Sequence, residues 1–208
     1  KRPGLEYVAP AKTPSTAVRL IPFEFNTTQT YILEFGNLYM RVYKDGGQVL
    51  TGSAKVISGV TKANPAVVTS SSHGFSNGDD VFISGIVGMT ELNGRFLRAA
   101  SVTTNTFALT DYAGANINST AFTTYGSAGT AQKVFELTTP YTAADIFDLQ
   151  YVQSADVLTV THPDYAPRDI ARTGHDAWTI TEIDFQPKQA FPTGLGVTVN
   201  TTGSTTYR

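Results

Sequence analysis

Apolar and polar residues alternate along most of this chain with a period of two. A 3.6-residue period is nearly absent, so the pattern predicts strands. Residues 18–25 alternate imperfectly and read as a strand, with Pro22 placing it at an edge or a bulge. Residues 30–35 and 38–43 read as two strands around Gly36-Asn37, a two-residue turn whose members both tolerate positive φ. Lys44-Asp45-Gly46-Gly47 is the next turn, and Gln48-Val49-Leu50 starts a return strand.

Between residues 51 and 133 the strands shorten and Gly, Ser, Thr and Asn rise. Segments 56–60, 66–69, 80–83 and 106–109 recur at intervals of roughly a dozen residues, the spacing of a small barrel or sandwich. Turn chemistry lies between them at Asn64-Pro65, His73-Gly74, Asn77-Gly78-Asp79 and Asn93-Gly94. From residue 134 the first style resumes, with strands at 134–137 and 156–161 and a hairpin of 168–172 and 177–183 around Gly174-His175-Asp176. Thr142 followed three residues later by Asp145 is a variant of the capping box and predicts one helical turn through Ile146, Phe147 and Leu149. The expected fold is all-β. Residues 1–50 and 134–186 form a discontinuous antiparallel meander, and 51–133 form a small β-barrel inserted at one of its hairpins, where few contacts cross. Residues 187–208 are a Pro/Gly linker and the first strands of a further domain. The chain, starting without Met and stopping in a strand-like pattern, reads as a piece of a longer protein.

Charge and composition narrow the function more by exclusion than by indication. The formal net charge of −2 over 208 residues removes the counterion-release argument for nucleic acid and any reason to expect an anionic membrane surface. No stretch approaches the roughly 18 apolar residues of a membrane helix, so no membrane anchor is expected. The absence of cysteine excludes disulfides, thiolate catalysis and Cys-ligated zinc.

The histidines His73, His162 and His175 sit in turn sequences without metal-ligand spacing and read as caps on backbone groups. No G-x-S-x-G elbow and no phosphate loop is present, and Asp79-Asp80 reads as the close of a turn rather than an acid pair. No enzymatic activity and no cofactor are expected. Tyr31, Phe35, Tyr39, Tyr43, Tyr151 and Trp178 read as cross-strand pairs and core. Arg19, Arg41, Arg168 and Arg172 are scattered through strands. They are open to three uses: ion pairs across a subunit contact, a lumen lining, or a solvated face.

Two stretches resemble known families. Residues 2–9 (RPGLEYVA), 18–36 (VRLIPFEFNTTQTYILEFG) and 39–47 (YMRVYKDGG) resemble the N-terminal region of tailed-bacteriophage tail tubular or nozzle proteins. So do Thr139-Pro140-Tyr141, 145–149 (DIFDL), 153–158 (QSADVL), 162–167 (HPDYAP) and Trp178. The inserted stretch, with 60–69 (VTKANPAVVT), 73–79 (HGFSNGD), 83–85 (ISG), 88–94 (GMTELNG) and 105–109 (NTFAL), is similar to the small β-barrel named after the first catalytic-cysteine half-domain (FCCH) of ubiquitin-activating enzymes. The region after Pro192 resembles the start of a fibronectin-type-III-like domain.

The resemblance implies a virion tail component with a propeller-like core, forming a homo-oligomeric ring, commonly sixfold, below an adaptor and around the channel through which genomic DNA passes. Arg19, Arg41, Tyr43, Tyr165, Arg168 and Trp178 are the candidate assembly residues. The alternative expectation is a peripheral tail adhesin module that binds a host-surface glycan. A third, a polymer-degrading enzyme, requires carboxylates in a cleft.

Overall fold

Alternation in the first and last parts of the chain builds two sheets that share one core. In the computed structural model, residues 7–26 and 29–185 are described. The first sheet has β1 (Arg19–Asn26), β2 (Gln29–Gly36), β3 (Tyr39–Lys44) and β12 (Leu137–Thr138) in that order, with β4 (Gly47–Gln48) paired to β3. A second sheet is a plain meander of β13 (Gln150–Ser154), β14 (Val157–His162), β15 (Tyr165–Arg172) and β16 (Trp178–Glu182). Tyr31, Leu33 and Phe35 of β2 and Met40 and Val42 of β3 pack with Leu158, Val160, Ile170 and Trp178 of the meander.

The two layers are stapled along β1 by side chains. Gln153 accepts from the Glu24 N–H at 3.0 Å and donates to the Glu24 carbonyl at 2.7 Å. Arg19 Nη1 donates to the carbonyls of Ile146, Phe147 and Leu149 at 3.0, 2.9 and 2.7 Å. Pro22 lies in β1, an edge strand with a bulge after Glu24, as its missing N–H requires.

The third sheet is built between β4 and β12. It contains β5 (Leu50–Val56), β6 (Gly59–Val60), β7 (Val67–Thr69), β8 (Asp80–Val87), β9 (Arg95–Ala100), β10 (Thr106–Thr110) and β11 (Ser127–Val134). A short 3₁₀ turn, Thr90–Leu92, joins β8 to β9. The strand order is β5-β11-β8-β9-β10-β7-β6. The chain enters and leaves through neighbours, since Leu50 pairs with Val134. Val68, Val81, Ile83, Leu97, Phe107 and Ala131 form a core separate from that of the two-layer part.

Two expectations of sheet closure are corrected. The insert is an open seven-stranded sheet, not a barrel, and the remainder is two open sheets, not a propeller. Closure needs the two end strands to pair with each other, and β5 and β6 do not. Here β6 has two residues, and β5 breaks at Gly52 (φ +64), where the register jumps from Lys55↔Ala131 to Thr51↔Lys133. A propeller needs blades repeated around an axis, whereas these two sheets lie over a common core. The fibronectin-type-III-like start falls outside the described residues.

The helical turn expected after Thr142 is instead a run of i→i+3 turns, Asp145 N–H to Thr142 C=O at 3.1 Å and Asp148 N–H to Asp145 C=O at 3.0 Å. Arg19 occupies the carbonyls of Ile146, Phe147 and Leu149, which a continuing helix would offer to its own N–H groups.

The β2–β3 turn is shifted by one residue: Gly36 pairs with Tyr39, leaving Asn37-Leu38 at the corner. Position 36 requires glycine, because the Tyr39 ring occupies the space a Cβ would need. Leu38 takes φ +64, held by its N–H to Tyr141 C=O (2.8 Å) and its carbonyl to Thr139 N–H (3.1 Å).

Candidate functional site

Met40 and Val42 face the shared core, so alternation turns Tyr39, Arg41 and Tyr43 to the other face of the first sheet. Arg41 is nevertheless 1% exposed, because the insert covers it. Its guanidinium pairs with Asp80 at the start of β8. It also reaches Glu136, in the link from β11 to β12, at 3.1 Å through Nε and 3.0 Å through Nη2. Asp80 offers its other oxygen to Arg98 Nε at 2.9 Å, and Arg98 donates to the Lys12 carbonyl at 3.0 Å. Lys12 pairs in turn with Glu136. Lys133 and Asp79 add a pair at 2.7 Å on the rim.

Aromatic rings flank the guanidinium. It lies 5.3 Å from the Tyr39 centroid and 5.8 Å from that of Tyr112. Burial alone would push Arg41 down, but the facing carboxylates of Asp80 and Glu136 and the Tyr112 phenol reverse this and raise it. Arg41 is therefore a permanent cation. Glu34 accepts from Tyr39 Oη at 2.8 Å and Tyr43 Oη at 2.6 Å. Burial first, then the Glu34 carboxylate, pushes both phenols well above the ordinary tyrosine range.

The arrangement is an ion-paired lock between the two cores, with a polar cavity of about 220 Å³ beside Arg41, Asp79, Asp80, Lys133 and Glu136. Its carboxylates are taken by cations. Among the described residues no group of three or more His, Cys, Asp or Glu side chains is disposed to hold a metal ion. On the same sheet face, an apolar cleft of about 700 Å³ runs between Tyr7, Val8 and Ala11 and the floor of Leu20 and Ile32.

The six candidate assembly residues fall in four places. Arg41 and Tyr43 converge on the second face of the first sheet, through Asp80 and Glu34 respectively. Arg19 and Tyr165 both hold the turn run after β12, Arg19 by its three carbonyl contacts and Tyr165 by donating to Asp145 at 2.6 Å. Arg168 pairs across strands with Glu182 at 2.9 Å. Trp178 is in the shared core, edge-on to Phe23 with centroids 4.9 Å apart.

Asp145 also accepts from Thr142 N–H and Oγ1 at 3.0 and 2.7 Å, the reciprocal bond of a capping box. The Tyr165 bond, followed by those of Thr142, lowers its pKa. Its contribution to stability is then full above the ordinary carboxylate pKa and is lost as pH falls through the lower folded-state value. The stability gap between wild type and Asp145→Asn, followed by urea melts across acidic pH, is expected to close over that window.

The insert's signature residues organise backbone. His73 Nδ1 accepts from Phe75 N–H (3.0 Å), Asn77 from Val102 N–H (2.9 Å) and Asp79 from Ser76 N–H (2.9 Å). Asn93 both accepts from and donates to the Ile86 backbone, at 2.8 and 2.9 Å. His162 likewise accepts from Asp164 N–H at 3.1 Å, while His175 Nδ1 meets the Tyr31 hydroxyl at 2.7 Å.

Residues 63–134 match the family model of the ubiquitin-activating enzyme E1 FCCH domain. No curated protein matches the chain. The FCCH match takes in β7 to β11 and leaves β5 and β6 outside. Asp80, Arg98 and Tyr112 of the lock belong to the matched stretch, while Arg41 and Glu136 lie beyond it, so the lock crosses the boundary of the FCCH-like module. Sequence reasoning did not find this partnership. The only signal was an arginine at a strand position between two core residues, and its partners are 39 and 95 residues away.

Proposed function

We propose that this chain is a structural subunit of a bacteriophage tail, assembling as a ring around the DNA channel and carrying its FCCH-like module as a rigid outboard unit. The observation that supports this reading most is the Arg41 lock. A buried ion-paired junction holds an inserted module in one orientation, as a subunit that must present the same surface in every copy of an assembly requires. The nozzle-like sequence blocks, which supply β1 to β3 and the meander, point the same way. The net charge of −2 suits a channel past which DNA slides without sticking.

Light scattering on the purified protein, with negative-stain imaging of the same fractions, tests the reading. Closed rings with a central opening are expected. A monomer at every concentration, alone and with the tail adaptor present, would overturn it.

A second reading, a peripheral adhesin for a host-surface glycan, is favoured by one feature. Phe82 and Phe96 are paired on β8 and β9 with centroids 4.8 Å apart, half-exposed on the face opposite the insert core. Binding on a glycan array that is lost in Phe96→Ala would move the assignment to that reading.

A further inference from the structure

A strand at the end of a sheet offers unpaired N–H and C=O groups, and folded proteins protect such edges with charges, prolines, bulges or brevity. Almost every sheet end here is protected. Pro22 interrupts β1, and the backbone of Glu24 is occupied by Gln153. Strand β5 is bulged and carries Lys55. Strands β4, β6 and β12 have two residues each. Strand β16 ends on Glu182, bound to Arg168, and lies beside β12.

Strand β13 has none of these devices. Its five residues, Gln150 to Ser154, pair with β14 in unbroken register and include no proline and no charge. Among the described residues no other strand pairs with β13. Gln153 reaches Glu24 in the other layer and the Ala155 carbonyl in the turn that follows β13, and the half-exposed Tyr151 lies under Arg19. Val152, on the opposite face, is 66% exposed.

We propose that β13 is a strand-addition edge whose partner is β13 of a second copy of this chain, joined antiparallel about a two-fold axis at Val152. The segment is self-complementary in that register. Val152 meets Val152 of the second copy, Tyr151 meets Gln153, and Gln150 meets Ser154, so no charge is set opposite a like charge. The pairing joins two four-stranded meanders into one eight-stranded antiparallel sheet. It does not rest on the phage reading.

The chain has no cysteine, so single cysteines report the register cleanly. With the full-length protein, Val152→Cys is expected to form a disulfide-linked dimer under mild oxidation. Gln150→Cys alone is expected not to, while an equimolar mixture of Gln150→Cys and Ser154→Cys chains cross-links. Val152→Lys, an exposed substitution of the kind that protects natural edges, is expected to weaken association at least about tenfold in analytical ultracentrifugation while the melting temperature of dilute, monomeric protein stays unchanged. The proposal is overturned if Val152→Lys associates like wild type, if the wild type stays monomeric, or if Val152→Cys links preferentially to a cysteine at Thr181 of β16. Rings that persist in Val152→Lys would sink this edge and leave the proposed tail function standing.

Discussion

Replacing Arg41 with alanine is expected to cost about 3 kcal/mol, near the lower end of the range for removing one partner of a buried ion pair. The Asp80 side chain is 2% exposed and cannot recover its lost partner from water. The value stays near the lower end because Arg98 remains on the other Asp80 oxygen at 2.9 Å. Packing is lost as well, since the guanidinium fills the space between the Tyr39 and Tyr112 rings. Arg41→Lys keeps the charge but replaces a planar fork, which binds Asp80 and Glu136 together, with a single ammonium, so an intermediate loss is expected. The double variant Arg41→Met with Asp80→Leu should be less damaging than Arg41→Met alone, because the buried Asp80 carboxylate goes with its partner, while Arg98, freed from Asp80, is partly exposed and Glu136 keeps Lys12.

Because the two cores are distinct, the lock should also set how they unfold together. The one tryptophan lies in the two-layer core, whereas far-UV circular dichroism follows all three sheets. In wild type the fluorescence and dichroism transitions in urea should coincide, and in Arg41→Ala they should separate. Coincident transitions in both proteins, with a loss below about 0.5 kcal/mol, would mean that the pair behaves like a surface salt bridge.

What could be seen in the sequence follows from the range over which the forces act. Strand periodicity and turn chemistry are local, so β2, β3, β14, β15 and the insert's Asn-Gly and His-Gly corners were visible as patterns. The Gly36 corner was misplaced because its determinant is distant in sequence: the positive φ falls on Leu38, where Tyr141 and Thr139 hold the backbone. The turn run after Thr142 looked helical because its capping pair is real, while the competitor for its carbonyls is Arg19, more than a hundred residues earlier. Closure of a sheet depends on whether its two end strands meet, which no short window contains. The lock is harder still to see, because Arg41 and Asp80 belong to different sheets and each resembles an ordinary polar strand residue. The candidate assembly residues are large or charged side chains, which a subunit contact would use. The structure places them in the Arg41 lock, in the Tyr43 bond to Glu34, in the Arg19 and Tyr165 bonds to the turn run, in the Arg168–Glu182 cross-strand pair and in the Trp178 core position.

Replacing Trp178 with alanine is expected to cost about 3–5 kcal/mol, the range for truncating a large buried aromatic. The indole is 5% exposed and sits edge-on between Phe23 and Tyr31, at 4.9 and 5.6 Å, where the two layers meet. Its Nε1–H donates to the His175 carbonyl at 3.0 Å, so the ring also fixes the β15–β16 turn. Trp178→Phe keeps much of the volume and one edge contact but leaves that carbonyl without its donor, so a loss of about 1–2 kcal/mol is expected. Both variants lack tryptophan, and the melts are therefore read by circular dichroism. The insert, packed around its own core, should keep its hydrogen-exchange protection in both. A role in assembly predicts a different pattern. A Trp178 that works mainly at a subunit contact would leave the monomer's stability within about 0.5 kcal/mol of wild type while abolishing higher-order species. Comparing the loss in monomer stability with the loss in association, variant by variant, separates a residue that holds the layers together from one that holds subunits together.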